Sequence, residues 1–187
     1  MTSLSNLTLL RGNTVVVSNR TNDWPDGVWL TGPNGSGKTS LLRALAGLLP
    51  PLSGSYAIPD DRIFIGTPAG HDVALSARDN LSVWTALNGG EQSRVNPALA
   101  AAGLSALADA RAGDMSAGQS QRLALARLLC VPKRTWLLDE PFNALDTDGQ
   151  GWLCGLMAAH LKTGGVIVCA THHIYDVPGM TAWDLSQ

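Results

Sequence analysis

Apolar positions between Leu7 and Val17 alternate or cluster on both sides of Arg11-Gly12-Asn13. Two antiparallel strands joined by a short turn give that pattern. Val28–Thr31 is a brief apolar run leading straight into a glycine-rich stretch. Thr39–Leu48 follows with apolar residues at helical spacing, until Pro50-Pro51 stops it. Tyr56–Ile58 and Arg62–Ile65 read as further strands. The character changes from about Pro68 to Met115. Segments such as SARDNLSVWTALN and NPALAAAGLSALADA are rich in alanine and leucine, with no strand pattern between them, and predict a helical insert. A helix over Ala117–Cys130, a buried strand over Thr135–Asp139, a helix over Asp148–Leu161 and a strand over Val166–Ala170 come next. Strands alternating with helices build a mainly parallel sheet covered on both faces. The predicted class is α/β, a single domain over residues 1–187 with an antiparallel β segment near its start and a helical insert at about 68–115.

Composition narrows the function without naming it. The chain has 187 residues, 45% of them hydrophobic and 15% charged, and a net charge of −2. That balance predicts no nucleic-acid partner and no basic membrane anchor. Apolar runs such as Trp136–Leu138 and Val166–Ala170 are far too short to span a bilayer. The opening MTSLSNLTLLRG has neither the basic start nor the sustained apolar region of a signal peptide, so a cytoplasmic setting is expected. Cys130, Cys154 and Cys169 are odd in number and widely spaced, which argues against a disulfide framework or a cysteine zinc cage.

Chemistry enters with Gly32-Pro33-Asn34-Gly35-Ser36-Gly37-Lys38-Thr39, a full match to G-x-x-x-x-G-K-[ST] between a predicted strand and a predicted helix. Glycines let the backbone wrap closely round phosphates, and N–H groups at the helix start, through Ser40, point at the anion. Lys38, one of only three lysines in the chain, would reach the β- and γ-phosphates, and the Thr39 hydroxyl would hold Mg²⁺. A glycine-rich turn that binds nothing is the bland alternative, but the strand–loop–helix setting argues against it.

TWLLDE, Thr135 to Glu140, is an apolar strand ending in two carboxylates. Asp139 would join Thr39 at Mg²⁺, and Glu140 would polarise the attacking water as general base. A solvated acidic turn before Pro141 is the alternative reading of the pair. His172, just past the strand Val166–Ala170, can bond the γ-phosphate and keep water and Glu140 in line. Its neighbour His173 leaves the register open. Ser116, Gly118 and Gln119 open the helix in SAGQSQRLALAR and offer a second anion-binding end. A capping serine is the ordinary alternative. A second anion site in one chain makes sense if it closes on the nucleotide of another subunit.

These motifs, in this order, resemble ABC ATPase subunits over nearly the whole chain: the phosphate loop, the helical insert, Ser116-Ala117-Gly118-Gln119, Leu137-Leu138-Asp139-Glu140, Asn143-Ala144-Leu145-Asp146 and His172. Within them the chain is similar to the ATP-binding subunit family of the cytochrome c maturation transporter, the haem exporter. The features are TGPNGSGKTSLLRALAGLLPPLSG, SAGQSQRLALARLL, the tryptophan before LLDEPFNALD, and Ile65 to Trp84 as a divergent G-H-x-x-G…L-T-x-x-E-N-L stretch. The resemblance implies ATP and Mg²⁺ as ligands, ATP hydrolysis coupled to transport, and a second ATPase subunit in a head-to-tail dimer. It also implies an integral membrane subunit as partner, and a peripheral place on the cytoplasmic face of the cell inner membrane. Direct haem binding is not expected, since no C-x-x-C-H occurs.

Departures from the family pattern matter. Thr67 stands where the mobile-loop glutamine, or histidine, is expected, and its hydroxyl has a shorter reach. No aromatic residue lies near Leu10–Asn13, where many relatives stack adenine; Asp79 replaces the usual glutamate and Met115 a common leucine. Thr67 favours an alternative, a degenerate subunit that binds ATP as a structural switch, whereas Lys38, Asp139, Glu140 and His172 together oppose it. An ATPase serving another transporter would use the same motifs. Soluble chromosome or translation ATPases would carry a long coiled coil or tandem cassettes, and neither pattern is present. Trp84, on the helix-like stretch Ser76–Asn88, is either core or the anchor of a docking surface with Val73, Leu75 and Val83.

Overall fold

Two compact units make up the chain in the computed structural model, which describes residues 2–66 and 70–185. The first unit runs to Gly66 and takes in Arg134–Pro141 and the stretch from Cys154 onward. Here β1 (Thr2–Arg11) and β2 (Thr14–Trp24) form the expected hairpin around Gly12-Asn13, each strand longer than the apolar pattern suggested. Leu4, Leu7 and Leu9 bury one side of β1. The other edge of β1 pairs antiparallel with β4 (Ser53–Ala57). The sequence placed that strand at Tyr56–Ile58. It lies earlier because its ladder uses the backbone of Ser53 and Ser55, whose small polar side chains give no strand signal.

The second sheet of this unit has five parallel strands: β3 (Gly27–Thr31), β5 (Arg62–Ile65), β6 (Thr135–Asp139), β7 (Val166–Ala170) and β8 (Met180–Asp184). Their order is β5-β6-β7-β3-β8. Every residue of β6 and β7 is buried, as central parallel strands require. Strand β8 was not anticipated. MTAWD carries no apolar run, and as an edge strand it is fixed by pairing with β3 alone.

Helix α1 (Lys38–Leu45) follows β3 and packs on β6 and β7. Leu41, Leu42 and Leu45 are fully buried, each worth about 1.5–3 kcal/mol against exposure. That burial fixes the helix whose first turn carries the phosphate loop. The helix stops earlier than Leu48 because Gly47 turns left-handed and its N–H bonds back to the Ala44 carbonyl.

The second unit holds α2 (Ala77–Leu87), α3 (Val95–Ala101) and α4 (Ala117–Cys130), with short 3-10 turns between them, and the start of α5 (Thr147–Lys162). Alanines at Ala77, Ala98, Ala102 and Ala126 let these helices approach closely around Leu81, Leu99 and Leu123. The only strand-like pairing described in this region is an isolated bridge between Ser76 and Arg111. Of the two helix-like segments read there, the first forms α2, whereas NPALAAAGLSALADA is α-helical only to Ala101 and continues as a 3-10 turn at Ser105–Leu107.

Candidate functional site

The phosphate loop leaves the end of β3 and enters α1 through Gly37, which caps the helix at φ 98°. A Cβ there would meet the Val16 carbonyl oxygen at 2.5 Å and the Val17 side chain at 2.8 Å. Only glycine fits both the left-handed backbone and the close approach of β2. The Lys38 side chain folds back along the loop and donates to the carbonyls of Gly32, at 2.6 Å, and Pro33, at 3.1 Å. Its ammonium is thus positioned by the loop's own backbone, with Lys38 itself 8% exposed.

Thr39, one residue on, places its hydroxyl 2.9 and 3.1 Å from the two carboxylate oxygens of Asp139 at the end of β6. Burial pushes the Asp139 carboxyl above the usual range. The Thr39 hydrogen bond and the charges of Arg43 and Lys38 oppose that shift. A divalent cation suits the pair, since it would neutralise the covered carboxylate and accept both oxygens as hard ligands.

Glu140 follows with a left-handed backbone, φ 51°, and its N–H donates to the Ala170 carbonyl at 2.9 Å. Because Asp139 pairs with Ala170 across β6 and β7, Glu140 and His172 leave neighbouring strand ends. Glu140 Oε1 and His172 Nε2 are 3.3 Å apart. Burial raises the Glu140 pKa, and the charges of His172 and Lys38 pull it back down. His173 instead engages Thr171 through its backbone N–H and carbonyl. Lys38, Thr39, Asp139, Glu140 and His172 converge on one open cavity of about 590 Å³, whose wall also includes Asn34, Gly35, Gly37 and Ser40. Arg11 and Val16 of the hairpin complete it. Sequence reasoning missed Arg11, although its place before the Gly12-Asn13 turn was a signal.

Ser116 and Gln119 sit in the second unit. Ser116 does cap α4: its hydroxyl accepts from the Gln119 N–H at 3.2 Å, while the Gln119 side chain accepts from the Ser116 N–H at 2.9 Å. Capping uses an acceptor lone pair and leaves the hydroxyl proton available to a phosphate oxygen. At Gly118 a Cβ would meet the Ala144 carbonyl at 2.8 Å, so the absence of a side chain lets the Asn143–Asp146 loop rest on α4. Asp146 fixes that loop by accepting from Arg122 at 2.6 Å and from the Gly149 N–H at 2.9 Å. Neither contact was foreseen, since Arg122 reads simply as a polar position on a helix.

Trp84 is partly buried. It packs against the helical core of this unit and also lines an open groove of about 510 Å³ with Leu75, Val83, Leu87 and Arg127, a groove that Val73 does not share. The Arg127 guanidinium lies 5.8 Å from the centre of its ring. Val83 and Leu87, on the rim of that groove, are 50% and 80% exposed. Thr67 lies outside the described residues. No helix among those described is long and apolar enough to cross a membrane.

The sequence profile of the ABC transporter family matches residues 26–143. The cytochrome c biogenesis ATP-binding export protein CcmA of Nitrobacter winogradskyi is 46% identical over 154 residues, 78% of this chain and 77% of the relative. The protein of the same name from Roseobacter denitrificans is 44% identical over 173 residues, 91% of this chain and 83% of its own length. Among solved structures, a bacterial ABC transporter cassette determined as a dimer superposes with a TM-score of 0.84 at 23% identity, over 99% of this chain and 95% of that one. A dimeric post-hydrolysis cassette bound to ADP and Pi gives 0.82 at 23% identity, over 92% and 88%.

Proposed function

This chain belongs to the ABC transporter family, and on that premise we propose that it is the ATP-hydrolysing subunit of an export complex serving cytochrome c biogenesis. The observation that carries the reading is the convergence of Lys38, the Thr39–Asp139 pair and the Glu140–His172 pair on one cavity. The phosphate loop grips the β- and γ-phosphates, with Lys38 supplying a fixed positive charge. Thr39 and Asp139 hold Mg²⁺, which supplies neutralisation of the phosphate oxygens when bound. Glu140 takes the proton of the attacking water, and His172 keeps the Glu140 carboxylate directed and bonds the γ-phosphate.

Two such subunits work head to tail. Ser116, Gly118 and Gln119 of one face the nucleotide held by Lys38 of the other, as a second anion-binding helix end calls for. The Trp84 groove receives a cytoplasmic segment of an integral membrane subunit, which keeps this chain peripheral on the cytoplasmic face of the inner membrane. Residues 1–187 act as one ATPase domain in this scheme, and the chain binds no haem itself.

Phosphate release by the complex purified with its membrane subunit tests the proposal. Wild type should hydrolyse ATP in a Mg²⁺-dependent way, and Lys38→Ala should not. Tight ATP binding with no turnover in the assembled complex would instead support the nucleotide-switch alternative.

A further inference from the structure

His71 lies ahead of α2 and reaches α4 through two hydrogen bonds of opposite sense. The Arg127 guanidinium can only donate, so Nδ1 of His71, 3.0 Å from Arg127 Nη2, accepts. The ring proton then sits on Nε2, which donates to the Ser120 carbonyl at 3.0 Å, in the first turn of α4. Arg127 Nη2 also donates to the Gly70 carbonyl at 3.1 Å, and Arg127 lines the groove beside Trp84. Among the described residues, Arg127 is the charged group that acts on the ring. Charges on the neighbouring stretch are engaged elsewhere: Asp72 accepts from the Ala74 N–H, Asp79 from the Ser76 hydroxyl, and Arg78 pairs with Asp109.

We propose that His71 is a positioning residue for the Trp84 groove: with its proton on Nε2 it locks Arg127 to the start of α4, and a second proton on Nδ1 undoes the lock. That proton removes the acceptor Arg127 uses on the ring and sets two cations side by side. Burial lowers the His71 pKa, the Ser120 hydrogen bond opposes that shift, and the charge of Arg127 adds to it. The lock is therefore complete at neutral pH and gives way only as pH falls below the ordinary histidine range. Arginine keeps its charge throughout. Once the ring is charged, the guanidinium loses a contact that fixes its place in the groove wall, and the groove loses its shape for an occupant. The inference rests on the docking reading above and adds a control to it: the membrane subunit is held at neutral pH and released by acid.

Two measurements test this. In the isolated full chain, long-range nitrogen–proton NMR correlations, assigned by the signal lost in His71→Gln, should show a ring that keeps its single proton on Nε2 as pH falls through the ordinary histidine range. A proton on Nδ1, or a ring already charged at neutral pH, would overturn the proposal. In the assembled complex, wild type should release most of its membrane subunit between neutral pH and about pH 5. His71→Gln keeps a donor and an acceptor but does not titrate, so it should hold the subunit at both pH values. His71→Leu has neither group and should weaken retention about 5- to 150-fold at both, the span of coupling free energies between linked sites; wild-type retention by His71→Leu would overturn the proposal as well. Equal acid release from wild type and His71→Gln would remove the His71 role and leave docking in place. Full retention of the subunit by Trp84→Ala would remove the docking reading, and acid release with it.

Discussion

Glu140→Gln keeps the shape of the side chain and removes its ability to accept a proton. The carboxylate it replaces is 20% exposed, 3.3 Å from His172, and follows the Mg²⁺-binding position directly. Loss of a positioned general base costs about 100- to 10,000-fold, equivalent to about 2.7–5.5 kcal/mol of barrier. ATP binding should survive, because Lys38 and Thr39 are untouched, and the variant should accumulate an ATP-bound dimer. The nucleotide-free fold gives a second readout. Burial raises the folded-state pKa of Glu140, so the native state holds that proton more tightly than the unfolded chain. The resulting stabilisation is complete below the unfolded glutamate range and is lost as pH rises through the folded value. At neutral pH the ionised side chain therefore weighs against the fold, and E140Q should melt at or above the wild-type Tm. Phosphate release and thermal unfolding, measured on the same preparation, check both. Turnover within tenfold of wild type would refute the base role, and a clearly lower Tm would refute the desolvation argument.

The pH profile of hydrolysis should lose its acid side above the ordinary glutamate range, where Glu140 takes up its proton. His172→Ala removes a charge that lowers the Glu140 pKa, so it should move that limb to higher pH as well as slow turnover; an unmoved limb would separate the two residues. Mixing Lys38→Ala with Ser116→Arg leaves one composite site intact in a mixed dimer, so partial activity should return on mixing two inactive variants. Hydrolysis by wild type that is strictly monomeric and independent of concentration would remove the dimer scheme. Trp84→Ala should weaken co-purification with the membrane subunit while ATP binding by the isolated chain persists; loss of the fold would make Trp84 a core residue only.

Elements whose burial is complete were legible in the chain. Val166–Ala170 is a continuous apolar run and Thr135–Asp139 is built on the run Trp136–Leu138, and their bounds agree with β7 and β6. The 14 residues of α4 agree as well, since Ser116 and Gln119 mark its start with a capping pattern. Strands that owe their extent to backbone pairing were less legible: the hairpin was expected but its strands run beyond their apolar pattern, and β4 begins before Tyr56. Met180–Asp184 becomes a strand because β3 has an open edge, a fact held by β3 and absent from MTAWD. Site contacts divide the same way. The phosphate loop is local in sequence, but the Glu140–His172 pair depends on Asp139 and Ala170 being register partners in adjacent strands. Arg11 reaches the cavity only because the hairpin folds beside the loop, as the close approach of Val16 to Gly37 makes plain.

The left-handed backbone at Glu140 sets a conflict for any sequence drifting through this position. Asparagine, aspartate and glycine tolerate such a backbone best. Glycine and asparagine have no carboxylate to offer, and aspartate carries its own one methylene short of the water. Glutamate is less comfortable there but long enough to reach. The strain is therefore a lock on residue identity: relaxing the chain at this point moves the base out of range of its chemistry.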